Sequence, residues 1–183
     1  MAKTQYYTAT SIDGFIADAD NSLDWLFEAD ATGNPFADFF RDVGAFAMGA
    51  TTYTWLLEHE GMLAKPSKWQ EAHGDRPAWV FTHRDLPVVP GADLRFVRDD
   101  VRPVHSAMTE AAGGRNLWIV GGGGLAGDFA GAGLLDEIVL GVAPVTLGAG
   151  APVLPRRLTS AKLSLTDVTR RGQFAYLTYA VGN

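Results

Sequence analysis

Four consecutive glycines, Gly121 to Gly124, stand between a short apolar run, Leu117 to Val120, and a segment suited to a short helix, Leu125 to Ala132, ended by Gly133. Bare glycine backbone lets N–H groups approach an anion with no side chain in the way. The N-terminus of the helix that follows adds partial positive charge at the same place. The chemistry implied is the holding of a pyrophosphate. Gly122, Gly124 and Gly127 also spell G-x-G-x-x-G. A Rossmann site would need an acid at the far end of the next strand to hold the ribose hydroxyls. Here Asp136 and Glu137 stand at the near end of the strand Asp136 to Pro144, whose far end is Val142-Ala143-Pro144. The phosphate reading survives without the Rossmann one. Its alternative is a glycine turn that serves close packing only.

A second strand-to-helix junction lies in the first half, at Met48-Gly49-Ala50-Thr51-Thr52-Tyr53. Thr51 or Thr52 would cap the helix, and the junction is a second place for phosphate; an ordinary capped helix is the alternative. Asp13 precedes Gly14 in a tight turn after the first strand, where a turn-forming aspartate is the simpler reading. Trp25 closes the polar loop Asp18 to Asp24, which could serve as a lid. The acids of that loop resemble the start of a calcium loop, but Leu23 stands where glycine is obligatory and Ala29 where a bidentate glutamate belongs. No metal site is expected. His59, His73, His83 and His105 are widely spaced, and the chain lacks G-x-S-x-G and G-x-x-x-x-G-K-[ST].

Composition narrows the rest. With 183 residues, 47% of them apolar, the chain suits one domain over 1–183 with a sizeable core. A net charge of −6 with no basic run argues against nucleic acid. The absence of cysteine excludes disulfides, thiolate metal sites and a cysteine nucleophile. The start, MAKTQYYTAT, lacks a signal-peptide core and no run is long enough to span a membrane, so a cytoplasmic protein is expected.

The elements that must position these residues read as alternating strands and helices. Strands are expected at Gln5 to Thr10, Ala45 to Met48, Ala78 to Thr82 and Leu94 to Val97, and at the two segments flanking the glycine helix. Helices are expected at Phe36 to about Asp42, from Thr51 or Thr52 onward, and at Pro103 to Ala112, while Gly61 to Arg76 reads as loop. Lys162 to Arg170 and Gln173 to Val181 alternate apolar and polar around Arg171-Gly172, a hairpin. The fold class is α/β: a mostly parallel central sheet with helices on both faces and an antiparallel C-terminal hairpin. The apolar strands and hairpin suggest a homodimer surface.

In this order the pieces resemble the dihydrofolate-reductase-like three-layer fold. More closely, they resemble the reductase domain of riboflavin biosynthesis, the RibD C-terminal domain, and its stand-alone bacterial relatives. The resemblance rests on Thr10-Ser11-Ile12-Asp13-Gly14-Phe15-Ile16-Ala17, Met48 to Tyr53, Ile119 to Gly123, Leu134-Leu135-Asp136-Glu137 and Pro144 to Pro152. It implies an NADPH-dependent oxidoreductase acting on a small heterocycle, similar to 5-amino-6-(5-phosphoribosylamino)uracil reductase. A dihydrofolate or pterin reductase is the alternative, and a non-catalytic nucleotide-binding protein on the same fold is an alternative of another class.

The resemblance also implies roles. Ala9 and Ile16 would meet the nicotinamide. Gly49, Thr51 and Thr52 would meet the pyrophosphate from one side, and Val120, Gly121, Gly122, Gly123, Gly124, Leu125 and Ala126 from the other. Thr82, His83 and Arg84 would sit at the adenosine phosphate, with Arg84, helped by Arg98, as its cation. Asp38, on the first helix, would orient or protonate substrate, with Asp13 second, and Trp25 would cover it. Two positions depart from the family pattern. Ala50 stands where arginine is common, and Val120 and Gly121 stand where the riboflavin reductases tend to carry a substrate-binding acid.

Overall fold

The computed structural model describes residues 2–98 and 100–182. Its strands are β1 (Thr4–Thr10), β2 (Phe15–Ala17), β3 (Val43–Gly49), β4 (Ala78–Phe81), β5 (Leu94–Val97), β6 (Asn116–Val120), β7 (Glu137–Val142), β8 (Ala151–Pro152), β9 (Leu163–Arg171) and β10 (Phe174–Val181). Eight of them form one sheet in the order β5-β4-β3-β6-β1-β7-β10-β9, and β2 pairs with β8 apart from it. The six strands from β5 to β7 run parallel; β10 is antiparallel to β7, and β9 to β10. Helices cover both faces, and successive strands of the parallel set are separated by at least one helix except β4 and β5, which a helix-free segment joins. Architecture and topology match the dihydrofolate-reductase-like expectation, closing hairpin included.

Alternation along the buried strands divides the core. Tyr7, Phe46, Met48 and Trp118 point to one side; Tyr6, Ala45, Ala47 and Ile119 point to the other. The first side is covered by α2 (Phe36–Arg41), α3 (Ala50–His59) and α4 (Ser67–His73), the second by α5 (Val101–Ala112) and α6 (Gly123–Gly131). In α5, Val101, Val104, Met108 and Ala112 fall on one face and are buried. Asp100 caps that helix, its carboxylate accepting from Arg102 N, and Gly113 ends it in the left-handed conformation.

Four local expectations are corrected. α4 lies inside the stretch Gly61 to Arg76. Its sequence carries little apolar signal, but Trp69 and His73, four residues apart, form a buried stripe against Phe46. Thr51 and Thr52 do not cap α3: Gly49 holds the cap position with extended backbone, and no side chain bonds there, so both threonines lie in the first turn. α6 starts at Gly123, two residues earlier than expected, because neighbouring chain fixes the glycines in a helical turn that their own propensity opposes. A short helix, α1 (Asp24–Glu28), also forms where a loop was expected.

Candidate functional site

The carboxyl ends of the parallel strands open into a cleft of three connected parts. The central cavity, about 390 Å³, is where both glycine-to-helix junctions arrive: Thr51 and Thr52 from α3, and Gly121 to Gly124 from the β6–α6 turn. Ala9 and Ile16 line it from β1 and β2. It adjoins an outer cavity of about 630 Å³ beside β4 and β5, with Gly124 common to both. On the other side it adjoins an aromatic cavity of about 460 Å³ beside β7, sharing Thr8, Ala9, Leu26 and Gly121.

The four glycines divide by function. Gly121 takes φ +69°, and a Cβ there would lie 2.5 Å from Thr52 Oγ1. A Cβ on Gly123 would collide with the carbonyl oxygens of Pro152 and Val153. Those two glycines are therefore demanded by packing. Gly122 and Gly124 have open space at the Cβ position, and both line the central cavity. Their backbone is accessible to a ligand, next to the N-terminus of a nine-residue helix. An anion cradle and a packed turn thus coexist at alternate positions. At Gly127 of the literal fingerprint a Cβ would meet Arg156 only at an ordinary 3.6 Å, so packing does not demand glycine there.

The outer cavity is rich in cations. Gly49, His83, Arg98 and Leu125 line it, and so do Arg102 and Arg156, which sequence reasoning missed. Among the described residues its acids are Asp100 and Asp128. Arg98 pairs with Asp85 at 3.3 Å and Arg102 with Asp100 at 3.5 Å. Among the described residues no carboxylate pairs with Arg156. Its guanidinium lies against Gly131 of α6, where any side chain would displace it. The adjacent Arg156-Arg157 after Pro155 was the available sequence signal for this cation. Arg84 lies outside this cavity, in a neighbouring groove that it shares with Asp85 and Arg98. Thr82 is buried, and its hydroxyl turns the chain by bonding the backbone of Arg84.

Other predicted residues fall elsewhere. Val120 lines the aromatic cavity, and Ala126 is fully buried in the core. Trp25 packs in the core, while its neighbours Leu23, Leu26 and Phe27 reach the cleft. Asp13 acts within the fold: its carboxylate accepts from Ser11 Oγ at 2.6 Å, Gly148 N at 2.7 Å and Leu147 N at 3.1 Å. These bonds, Ser11 first, lower its pKa from 3.8 to about 2. Asp38 is 78% exposed and pairs with Arg41 at 3.1 Å. It borders a groove with Glu137 and Asp167, on the sheet face that also carries Tyr7 and Tyr176, and does not line the three cavities.

The aromatic cavity was not foreseen. Tyr7, Phe36, Trp118, Phe174 and Tyr176 surround it, with Asn34 as a polar neighbour. Tyr7 donates to Asn34 Oδ1 at 3.2 Å. Burial pushes the Tyr7 hydroxyl up, as it does Tyr176, so both are neutral O–H groups near pH 7. Tyr176 stands opposite Gly141 in the β7–β10 pair, and a Cβ at Gly141 would meet its ring at 2.9 Å. The glycine lets that ring lie across the strand.

Comparison with known proteins fits this geometry. The family model described as the RibD C-terminal domain matches residues 2–175. YwjB, an uncharacterized protein of Bacillus subtilis (strain 168), is 33% identical over 178 residues, covering 97% of each chain. A protein from Shewanella sp. PV-4 assigned to riboflavin biosynthesis superimposes with a TM-score of 0.75 at 24% identity, covering 99% of both chains. Dihydrofolate reductase from Enterococcus faecalis, in complex with NADP(H), gives a TM-score of 0.61 at 15% identity over 99% of this chain and 97% of its own. No helix among the described residues is long and apolar enough to cross a membrane. The chain belongs to the RibD C-terminal domain family and shares, over nearly its whole length, the fold of the dihydrofolate-type reductases.

Proposed function

We propose that the protein is an NADPH-dependent reductase of a small heterocyclic substrate. The observation that carries this is the meeting of two glycine-to-helix junctions, Gly49 to Thr52 and Gly121 to Gly124, in one cleft at the strand ends. An extended dinucleotide would run from the outer cavity into the central one. The outer cavity's His83, Arg98, Arg102 and Arg156 would face the phosphate on the adenosine ribose. The open backbone at Gly122 and Gly124, with the threonines Thr51 and Thr52, would hold the pyrophosphate. Ala9 and Ile16 would pack on the nicotinamide, leaving the aromatic cavity for substrate. When bound, the reduced nicotinamide supplies a hydride; the chain must align the acceptor and exclude water.

Those tasks fit the residues present. Aromatic side chains bury the reacting region; the Tyr7 O–H is spent on Asn34 Oδ1, so the neutral Tyr176 hydroxyl and the Asn34 amide NH₂ are the groups that would donate a hydrogen bond to substrate. The test is NADPH binding by calorimetry and thermal shift. Micromolar-range affinity, about −8 kcal/mol, is expected. No heat and no shift would overturn the reading.

A second reading is a non-catalytic nucleotide-binding protein. It is favoured by Ala50 in place of arginine and by the absence of any carboxylate among the residues lining the aromatic cavity. Screening pterin, dihydrofolate and pyrimidine substrates for NADPH oxidation separates the two. A purified protein that binds NADPH and oxidises it with none of these classes favours the second.

A further inference from the structure

Charge is segregated along the cleft. The arginines Arg98, Arg102 and Arg156 gather at the outer end, beside β4 and β5. Among the described residues, none lining the aromatic cavity at the other end is charged. Its polar groups are neutral: the two tyrosine hydroxyls, Thr8 and Asn34. Asn34 Oδ1 already accepts from Tyr7 and from Phe36 N at 2.9 Å, which leaves its amide NH₂ as a donor.

A substrate tail leaving this cavity past Tyr7 and Tyr176 would enter the groove that also contains those two residues. There the charged groups are Asp38, Glu137 and Asp167 against the one cation Arg171. A phosphate placed in the cavity would lose its hydration with no charge partner, which is prohibitive for a dianion. In the groove Asp38 is paired with Arg41 and Glu137 with Lys3, which leaves Asp167 beside Arg171, so a phosphate there would meet no surplus of cations. An uncharged ring meets neither cost. It would stack on Trp118 and the tyrosines, with hydroxyls and an amide facing its polar edge.

We propose that the substrate of this protein is a planar, uncharged and unphosphorylated heterocycle, bound between the rings of Tyr7, Trp118 and Tyr176. This rests on the reductase reading for the direction of the cleft, and it sets the chain apart from an enzyme built for a phosphoribosyl substrate. The small side chain of Ala9 leaves room beside the rings, while the space at Gly121 and Gly141 is taken by Thr52 and Tyr176.

The test is a pair of fluorescence titrations with 8-ribityllumazine and the same compound carrying a 5′-phosphate, each run with and without NADP⁺. We expect the unphosphorylated compound to bind at least about tenfold more tightly, a difference of about 1.4 kcal/mol. Tyr176→Phe should weaken it while leaving NADP⁺ affinity unchanged, and Trp118→Phe should remove most of the tryptophan quenching. Equal or tighter binding of the phosphorylated compound, or binding of neither while NADP⁺ binds, overturns the proposal and leaves the cofactor reading in place. Failure of NADP⁺ to bind overturns the cofactor reading alone, because the discrimination between the two lumazines is also scored without NADP⁺.

Discussion

Gly121 and Thr52 interlock: a Cβ on the glycine would stand 2.5 Å from the threonine hydroxyl, on a backbone with φ +69°. Two bends some seventy residues apart thus touch at the middle of the cleft. Gly121→Ala must adopt a left-handed conformation and push against Thr52. We expect a loss of about 2–4 kcal/mol, seen as a fall in Tm of roughly 5–15 °C. A variant as stable as the parent would show that the two bends can part at little cost.

Gly131 and Arg156 offer a cleaner separation of binding from folding. Alanine at 131 would occupy the place of the guanidinium, but that group is the end of a flexible side chain and can move away. Stability should therefore hold or rise slightly, since alanine favours helix over glycine by about 0.5–1 kcal/mol. NADPH affinity should fall about tenfold, roughly 1.4 kcal/mol, with NADH much less affected. Arg156→Ala should do the same. Equal losses for the two cofactors, measured by calorimetry, would remove Arg156 from the adenosine phosphate.

His73 is buried against Phe46 and Trp69, with Nδ1 unpartnered, and burial lowers its pKa from 6.5 to about 4. The folded chain resists protonation that the unfolded chain accepts. Stability is full above pH 6.5 and declines as the pH falls towards 4, by at most roughly 3 kcal/mol. His73→Phe should flatten this part of the curve of unfolding free energy against pH. An unchanged slope would mean that the decline has another source.

Asp13 titrates in a lower window. Its pKa is depressed to about 2 by hydrogen bonds, so its contribution is present above 3.8 and is lost as the pH falls from there through about 2. Asp13→Asn should lower stability at neutral pH and remove this component of acid unfolding. Retention of both would show that Leu147 and Gly148 find other partners.

Asp38→Asn tests the acid assigned to the first helix. Its carboxylate is exposed, paired with Arg41 and outside the three cavities, so turnover should be little changed. Abolished turnover would put the α2 carboxylate in the reaction.

Sequence pattern carried the architecture because strand alternation and the hairpin turn are local signals: β6, β7 and the β9–β10 pair appear within two residues of where periodicity put them. The two junctions were legible for the same reason, as runs of glycine and threonine at strand ends. Other features depend on register between distant segments. Trp69 and His73 make α4 helical through contacts with Phe46, which no local pattern announces. Tyr7, Trp118 and Tyr176 are ordinary aromatic strand residues until the β6-β1-β7-β10 order sets them round one space. Arg156 gains meaning only from the absence of a side chain at Gly131.

Residues 144–156 have little regular structure, yet they are wired into the core at every few residues. Ile12 N bonds Val145 O; Asp13 grips Leu147 and Gly148; Gly150 sits tight against the Ala17 carbonyl; Tyr6 donates to Val153 O; and Gly123 lies beneath Pro152 and Val153. Evolution can lengthen most surface turns freely, but a single residue inserted between Leu147 and Val153 would set the moorings before it out of step with those after it, with the severity of a lesion deep in the interior.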